Sequence, residues 1–173
     1  RLARRLDELG VDYIEGGYAG SNRQDMEFFR EIRKCPLKHA RIVAFGSTRR
    51  PGSRVAADEN VAKILEARTP AVTIVGKAWK LHVRDVLRTG VDENLAMIAE
   101  TIQYLKRHRK EVFFDAEHFF DGYKDDPAFA LQALQTALEA GADGLVLCDT
   151  NGGSLPHEVY AITTAVVRRF QAP

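Results

Sequence analysis

The sequence predicts an α/β fold built on a parallel sheet. Five short, nearly continuous apolar runs have strand length, helical periodicities lie between them, and strand ends recur about every 30 residues. Strands are expected at residues 11–15, 41–46, 71–76, 112–116 and 144–148, each too apolar throughout to have one face in water. Their ends, at Glu15, Gly46, Gly76, Glu117 and Asp149, are 31, 30, 41 and 32 residues apart. The longest interval contains a loop with Lys77, Trp79, Lys80 and His82. Two architectures use such units, a five-stranded doubly wound sheet and a portion of an eight-stranded barrel. The pattern alone leans towards the first.

The helices follow from period and punctuation. Residues 58–67 place Val61, Ile64 and Leu65 on one stripe, and residues 92–107 do the same with Leu95, Ile98, Ile102 and Leu105. A third stripe in residues 127–140 holds Ala130, Leu131, Leu134 and Leu138. Ser21-Asn22-Arg23-Gln24 reads as a capping box, and Asp126-Pro127 as an N-cap followed by proline at the first helical position. Gly10 and Gly141 sit where a helix stops on glycine, each followed within two residues by an Asp that enters the next strand. A further helix begins around Pro156.

Composition narrows the class. With 173 residues, 45% hydrophobic and 28% charged, the chain is a single domain with material for a real core. The balance of 25 Lys+Arg against 24 Asp+Glu leaves +1, which gives no global attraction for nucleic acid or an anionic membrane. Cys35 and Cys148 are far apart, so neither a disulfide framework nor a zinc knuckle is expected, and a reducing cytoplasm fits. No apolar stretch approaches the roughly 20 residues of a membrane span. Arg1 already lies in a helical pattern, with no Met and no lead-in, so a piece of a longer polypeptide is expected.

Chemistry is expected at the carboxyl ends of the strands, where parallel-sheet proteins gather their ligands. Phe113-Phe114-Asp115-Ala116-Glu117-His118 puts Asp115 and Glu117 on one face and Phe114 and Ala116 on the other. Two carboxylates so close perturb one another's titration, which suits acid–base work or holding a cation. A plainer reading pairs them with Lys or Arg from a neighbouring loop. Asp149-Thr150-Asn151-Gly152-Gly153 offers a hydroxyl, an amide and free backbone N–H groups before a helix start, though an ordinary β-to-α turn would look similar.

Other strand ends are weaker. Glu15-Gly16-Gly17 is acidic, and Arg49 and Arg50 after Phe45-Gly46-Ser47-Thr48 could clamp a carboxylate or phosphate, although adjacent loop arginines are more often solvated. Lys77 could form an imine at a desolvated mouth, but nothing else in the chain demands one. His39, His82, His108, His118 and His157 show no HxH or HExxH spacing, so they close no metal site. Trp79 and Phe119-Phe120 read most simply as packing residues.

These strand ends carry a resemblance. Ile14-Glu15-Gly16-Gly17, Ala44-Phe45-Gly46-Ser47-Thr48-Arg49-Arg50, Thr73-Ile74-Val75-Gly76-Lys77, Asp115-Ala116-Glu117-His118-Phe119-Phe120-Asp121-Gly122-Tyr123 and Leu147-Cys148-Asp149-Thr150-Asn151-Gly152-Gly153 occur in this order in citramalate synthases. That family sits among the isopropylmalate and homocitrate synthases, the DRE-TIM metallolyase-like enzymes. The resemblance implies a TIM (β/α)8 barrel, with residues 1–173 as one partial barrel domain of five consecutive βα units, strands two to six. It implies an acyltransferase that condenses acetyl-CoA with pyruvate in a Claisen reaction on a route to isoleucine.

By position, Glu117 resembles the family's catalytic glutamate, and Thr150 the threonine that hydrogen-bonds the acceptor carboxylate. Asp115 would shape the acceptor pocket, and Glu15, Arg49, Lys77 and Asn151 are nominated by their place at the barrel mouth. The resemblance also implies a divalent cation whose ligands fall outside this stretch, on an Arg-Asp-Gly strand and a His-x-His strand that residues 1–173 do not match. The stretch alone should therefore be inert, and the full-length protein is expected to be a homodimer.

An isopropylmalate synthase using 2-oxoisovalerate is the neighbouring alternative. From another class, a non-catalytic flavodoxin-like binding or regulatory domain would satisfy five βα units, though its acids would be expected after the first strand rather than the fourth and fifth. Strand order separates the two folds: a barrel keeps sequential neighbours, and a doubly wound sheet reverses once.

Overall fold

The computed structural model describes residues 1–171. A first helix, α1 (Leu2–Glu8), leads into five βα units: β1 (Tyr13–Tyr18) and α2 (Arg23–Ile32); β2 (Arg41–Ser47) and α3 (Glu59–Glu66); β3 (Ala71–Lys77) with α4 (Lys80–Asp85) and α5 (Val91–Arg107); β4 (Glu111–Glu117) with α6 (Phe119–Asp125) and α7 (Pro127–Glu139); and β5 (Gly144–Leu147) with α8 (Pro156–Phe170). The strands pair in parallel in the order β1-β2-β3-β4-β5. The lean towards a doubly wound sheet is thus corrected. Each crossover returns the chain to the adjacent position, so the direction never reverses, as in a barrel. Local periodicity cannot show this, because strand order is a long-range property.

In-register pairing sorts the side chains. Ile14, Ile42, Ala44, Val72, Ile74, Val112, Phe114 and Ala116 turn to the helices and are buried with Ile64, Ile98, Ile102, Leu105 and Leu134. Burying one large aliphatic or aromatic side chain of this kind stabilises by about 1.5–3 kcal/mol. Gly46 and Gly76 lie on the same face, where an added Cβ would come within 2.4 Å of Ile64 and 2.7 Å of Phe114. The bareness of Gly46 lets α3 seat closely, and that of Gly76 makes room for the Phe114 ring of β4.

Several local readings are adjusted. The first strand starts at Tyr13, later than expected, and runs through Gly16 and Gly17, where its register with β2 shifts. Gly17 has φ +127°, a conformation that favours glycine. The cap of α2 is Asn22, whose side chain accepts from the Asp25 amide. Serine at position 21 is one residue too early for that role. Asp126 caps α7 with Pro127 behind it, and Gly10 and Gly141 end their helices at φ +80° and +98°. The short helices α4 and α6 were not expected, for neither is long enough to show a period.

Helix α6 touches the end of β3 through Gly122, whose added Cβ would lie 2.4 Å from the Ala78 carbonyl oxygen. Backbone cannot yield as a side chain tip can. Gly122→Ala should lower stability by about 1–3 kcal/mol, read as a lower melting temperature in thermal unfolding.

Candidate active site

Opposite the helical layer, the sheet presents a second face that bears Glu15, Val43, Thr73, Val75, Asp115 and Val146, in a register where Val75 sits beside Asp115 and Asp115 beside Val146. Asp115 and Glu117 share this face, as alternation requires. Burial pushes the Asp115 carboxyl above its ordinary value, with a hydrogen bond from Cys148 acting against the rise and the Glu117 charge adding to it. Glu15 is pushed up in the same way, by desolvation first and then by the charge of Asp115. The Cys148 thiol, desolvated and beside Asp115, is pushed up to about 12. One face of the sheet thus gathers acids whose charged forms are disfavoured.

The rim at the strand ends is more polar. Lys77 and Glu117 are in-register neighbours at the ends of β3 and β4, and their side chains form an ion pair. The buried Asn94 of α5 holds the end of β3 by donating to the Lys77 carbonyl at 3.0 Å. After Glu117 the chain turns through His118 at φ 52°, a left-handed conformation that costs a non-glycine residue free energy. That turn aims the His118 amide at Thr150, whose Oγ1 accepts at 2.9 Å, while the Phe119 amide donates to the Cys148 carbonyl at 3.0 Å. Having accepted from His118, the Thr150 hydroxyl keeps its own hydrogen free to donate.

An aromatic and imidazole cluster flanks Glu117. The His82 ring lies 4.4 Å from His118 and 4.9 Å from Trp79, centroid to centroid. Trp79 donates to Asp125 at 2.9 Å, and Asp121 accepts from Asn151 at 2.9 Å while lying 3.3 Å from the His118 ring. Nδ1 of His82 is 4.0 Å from Glu117 Oε2.

The structure therefore brings Lys77, Glu117, Thr150 and Asn151 to one rim and sets Asp115 and Glu15 on the face beneath it. Arg49 is not brought there. Its side chain is only 4% exposed and is gripped by Glu93 at 2.6 Å and Glu100 at 2.7 Å, both on α5, while its amide donates to Thr101. Its guanidinium holds a loop, and those partners are too far along the chain for spacing to reveal. Arg50 lies half-exposed against Asp58 and Glu59. Sequence reasoning passed over Trp79, His82, His118 and Asp121 as rim residues. The enlarged 41-residue unit was the available signal for the first two.

The described residues include no group of three or more His, Cys, Asp or Glu side chains that could hold a metal ion. Glu117 is occupied by Lys77, and Asp115 is a desolvated carboxyl whose charged form is disfavoured. The residues present do not by themselves fit a divalent cation.

Sequential parallel strands joined by helices make this chain part of a barrel of the TIM kind, with a candidate ligand site at the carboxyl ends of the strands. The chain belongs to the HMGL-like family, whose model matches residues 1–173. It is 56% identical to an (R)-citramalate synthase of Aquifex aeolicus over 99% of this chain and 32% of that protein. An (R)-citramalate synthase of Sulfolobus acidocaldarius is 54% identical over 99% of this chain and 33% of that protein, whereas a 2-isopropylmalate synthase of the same organism is 27% identical over 97% and 41%. The chain spans about a third of the length of those citramalate synthases. Among solved structures, an HMG-CoA lyase of Bacillus subtilis superposes with a TM-score of 0.78 at 16% identity, covering 97% of this chain and 56% of that one, and shares the fold.

The raised Cys148 thiol yields a direct check. In the folded protein at pH 8, iodoacetamide should label Cys148 at least about tenfold more slowly than in the unfolded chain, because the thiolate is the reactive form. Asp115→Asn should speed the labelling by removing a neighbouring negative charge, as followed by mass spectrometry of the modified peptide.

Proposed function

We propose that this chain is the middle of the catalytic barrel of a citramalate synthase, an acyltransferase that joins the acetyl group of acetyl-CoA to pyruvate and releases CoA. The contrast within one organism carries the reading: identity is 54% to the citramalate synthase of Sulfolobus acidocaldarius and 27% to its 2-isopropylmalate synthase. The reaction requires a proton to leave the acetyl methyl group, the resulting carbon to attack the keto carbon of pyruvate, and the thioester to be hydrolysed.

Glu117 is the residue placed to take the methyl proton, since it stands at the rim with its carboxylate held by Lys77. Thr150 would donate its free hydrogen to the pyruvate carboxylate, and its oxygen is fixed for this by the His118 amide. Asp115 lies beneath, where a carboxyl reluctant to ionise and the Cys148 thiol bound the acceptor pocket, with Glu15 across the sheet. Asn151 supports the rim through Asp121. The divalent cation has its proposed ligands outside residues 1–173.

Glu117→Gln in the full-length enzyme should cut turnover by about 100-fold or more, the usual loss when a general base is removed, with the fold kept. Thr150→Val should chiefly raise KM for the keto acid, because a carboxylate oxygen is left unpaired. Both are read by CoA thiol release, and wild-type kinetics in either variant would remove that residue from the mechanism. Turnover of pyruvate should also exceed that of 2-oxoisovalerate; preference for the branched acid would overturn the substrate assignment.

A further inference from the structure

One buried polar atom at the rim has no partner. Among the described residues Nδ1 of His82 makes no hydrogen bond, and the His82 side chain is only 18% exposed, wedged between Trp79 and His118. A buried nitrogen left unpaired costs about 1–3 kcal/mol, so its persistence calls for a partner that arrives. Oε2 of Glu117 lies 4.0 Å away, the same atom that Lys77 engages. A shift of about 1 Å would bring the two within ordinary hydrogen-bond range.

We infer that His82 is a positioning residue for Glu117: its neutral imidazole accepts a hydrogen bond at Nδ1 from the Glu117 carboxyl once that carboxyl has taken up a proton. The inference rests on the reading of Glu117 as the base. An ionised Glu117 offers only acceptors, which suit the ammonium of Lys77. A protonated Glu117 has one carbonyl oxygen, which a turn of the carboxyl presents to Lys77, and one O–H that needs an acceptor. Nδ1 supplies it when His82 carries its hydrogen on Nε2. The abstracted proton forms an O–H bond on Glu117 as the methyl C–H bond breaks, is held along this hydrogen bond, and leaves to the alkoxide oxygen formed from the keto group or to water.

The surroundings favour a neutral ring. Desolvation, then the charges of His118 and Lys77, push His82 below its ordinary value, while Glu117 at the end of β4 and Asp121 on α6 act in the opposite direction. On its own helix the charged groups are Lys80, Arg84 and Asp85, with Asp85 paired to Arg84. The net direction leaves an acceptor rather than a cation facing Glu117.

Two measurements test this, one of them independent of turnover. In Glu117→Gln the amide imitates a protonated carboxyl, with one acceptor and a donor. A crystal structure of that variant of the full-length protein should show the amide nitrogen about 3 Å from His82 Nδ1; a separation remaining at 4 Å or more overturns the inference. In the full-length enzyme, His82→Leu should lower kcat about five- to tenfold and move the acid limb of its pH profile down by about half a unit or more, because protonated Glu117 loses its acceptor. His82→Asn, whose amide oxygen can occupy the Nδ1 position, should keep the wild-type limb. A limb that does not move in His82→Leu, or moves up, overturns the inference even if kcat falls. Should His82→Leu fail to fold, the Glu117→Gln structure decides. Absence of wild-type turnover with acetyl-CoA and pyruvate would defeat the proposed function, while that structure would still judge the His82 contact.

Discussion

The register of five parallel strands is the constraint on which everything else depends. Because side chains alternate, burying Phe114 and Ala116 under the helices forces Asp115 and Glu117 to the other face. A slip of one residue would drive two carboxyl groups into an apolar layer, at a cost of several kcal/mol or more per charge, on the order of the Born penalty after relaxation. The core therefore selects the site. Phe114 and Ala116 touch none of the chemistry, yet they decide where the acids stand.

Register explains the face, and backbone hydrogen bonds explain the rim. The left-handed turn at His118 joins the end of β4 to the segment after β5 through two amide donors, so Glu117 and Thr150 approach from different units in a fixed relation. Gly122 lets α6 rest against the Ala78 backbone, which places Asp121 beside the β5 loop and His118 beside His82. The free energy spent on one strained residue is recovered in orientation that a flexible loop would not provide.

How much of this was legible depended on the range of the interaction concerned. Alternation is local, so the shared face of Asp115 and Glu117 could be read from six residues. Caps at Asp126 and stops at Gly10 and Gly141 are local as well, and they held. Strand order is not, and the pattern leaned the wrong way until the pairings were seen. Arg49 looked like a ligand clamp because its partners Glu93 and Glu100 lie 44 and 51 residues away in the chain. His82 was marked only by the length of its loop: an isolated histidine carries no spacing signal of its own, and α4 and α6 together set it beside Glu117.

The grip on Arg49 bears on how the barrel mouth responds to solution conditions. A guanidinium does not deprotonate in proteins, and this one is nearly sealed from solvent, so added electrolyte screens it little. Its partner Glu93 is held below the usual carboxylate range, first by Arg49 and then by the Gly52 amide. Stabilisation of that sign is complete above the pKa of an unfolded glutamate and fades only as pH drops through the lower folded value. From about pH 5 upward the Arg49–Glu93 contact is therefore electrostatically constant. Any response of this end of the sheet to mild acid or mild base therefore falls to other groups, the desolvated Glu15, Asp115 and His82, and the brace around Arg49 stays constant while they titrate.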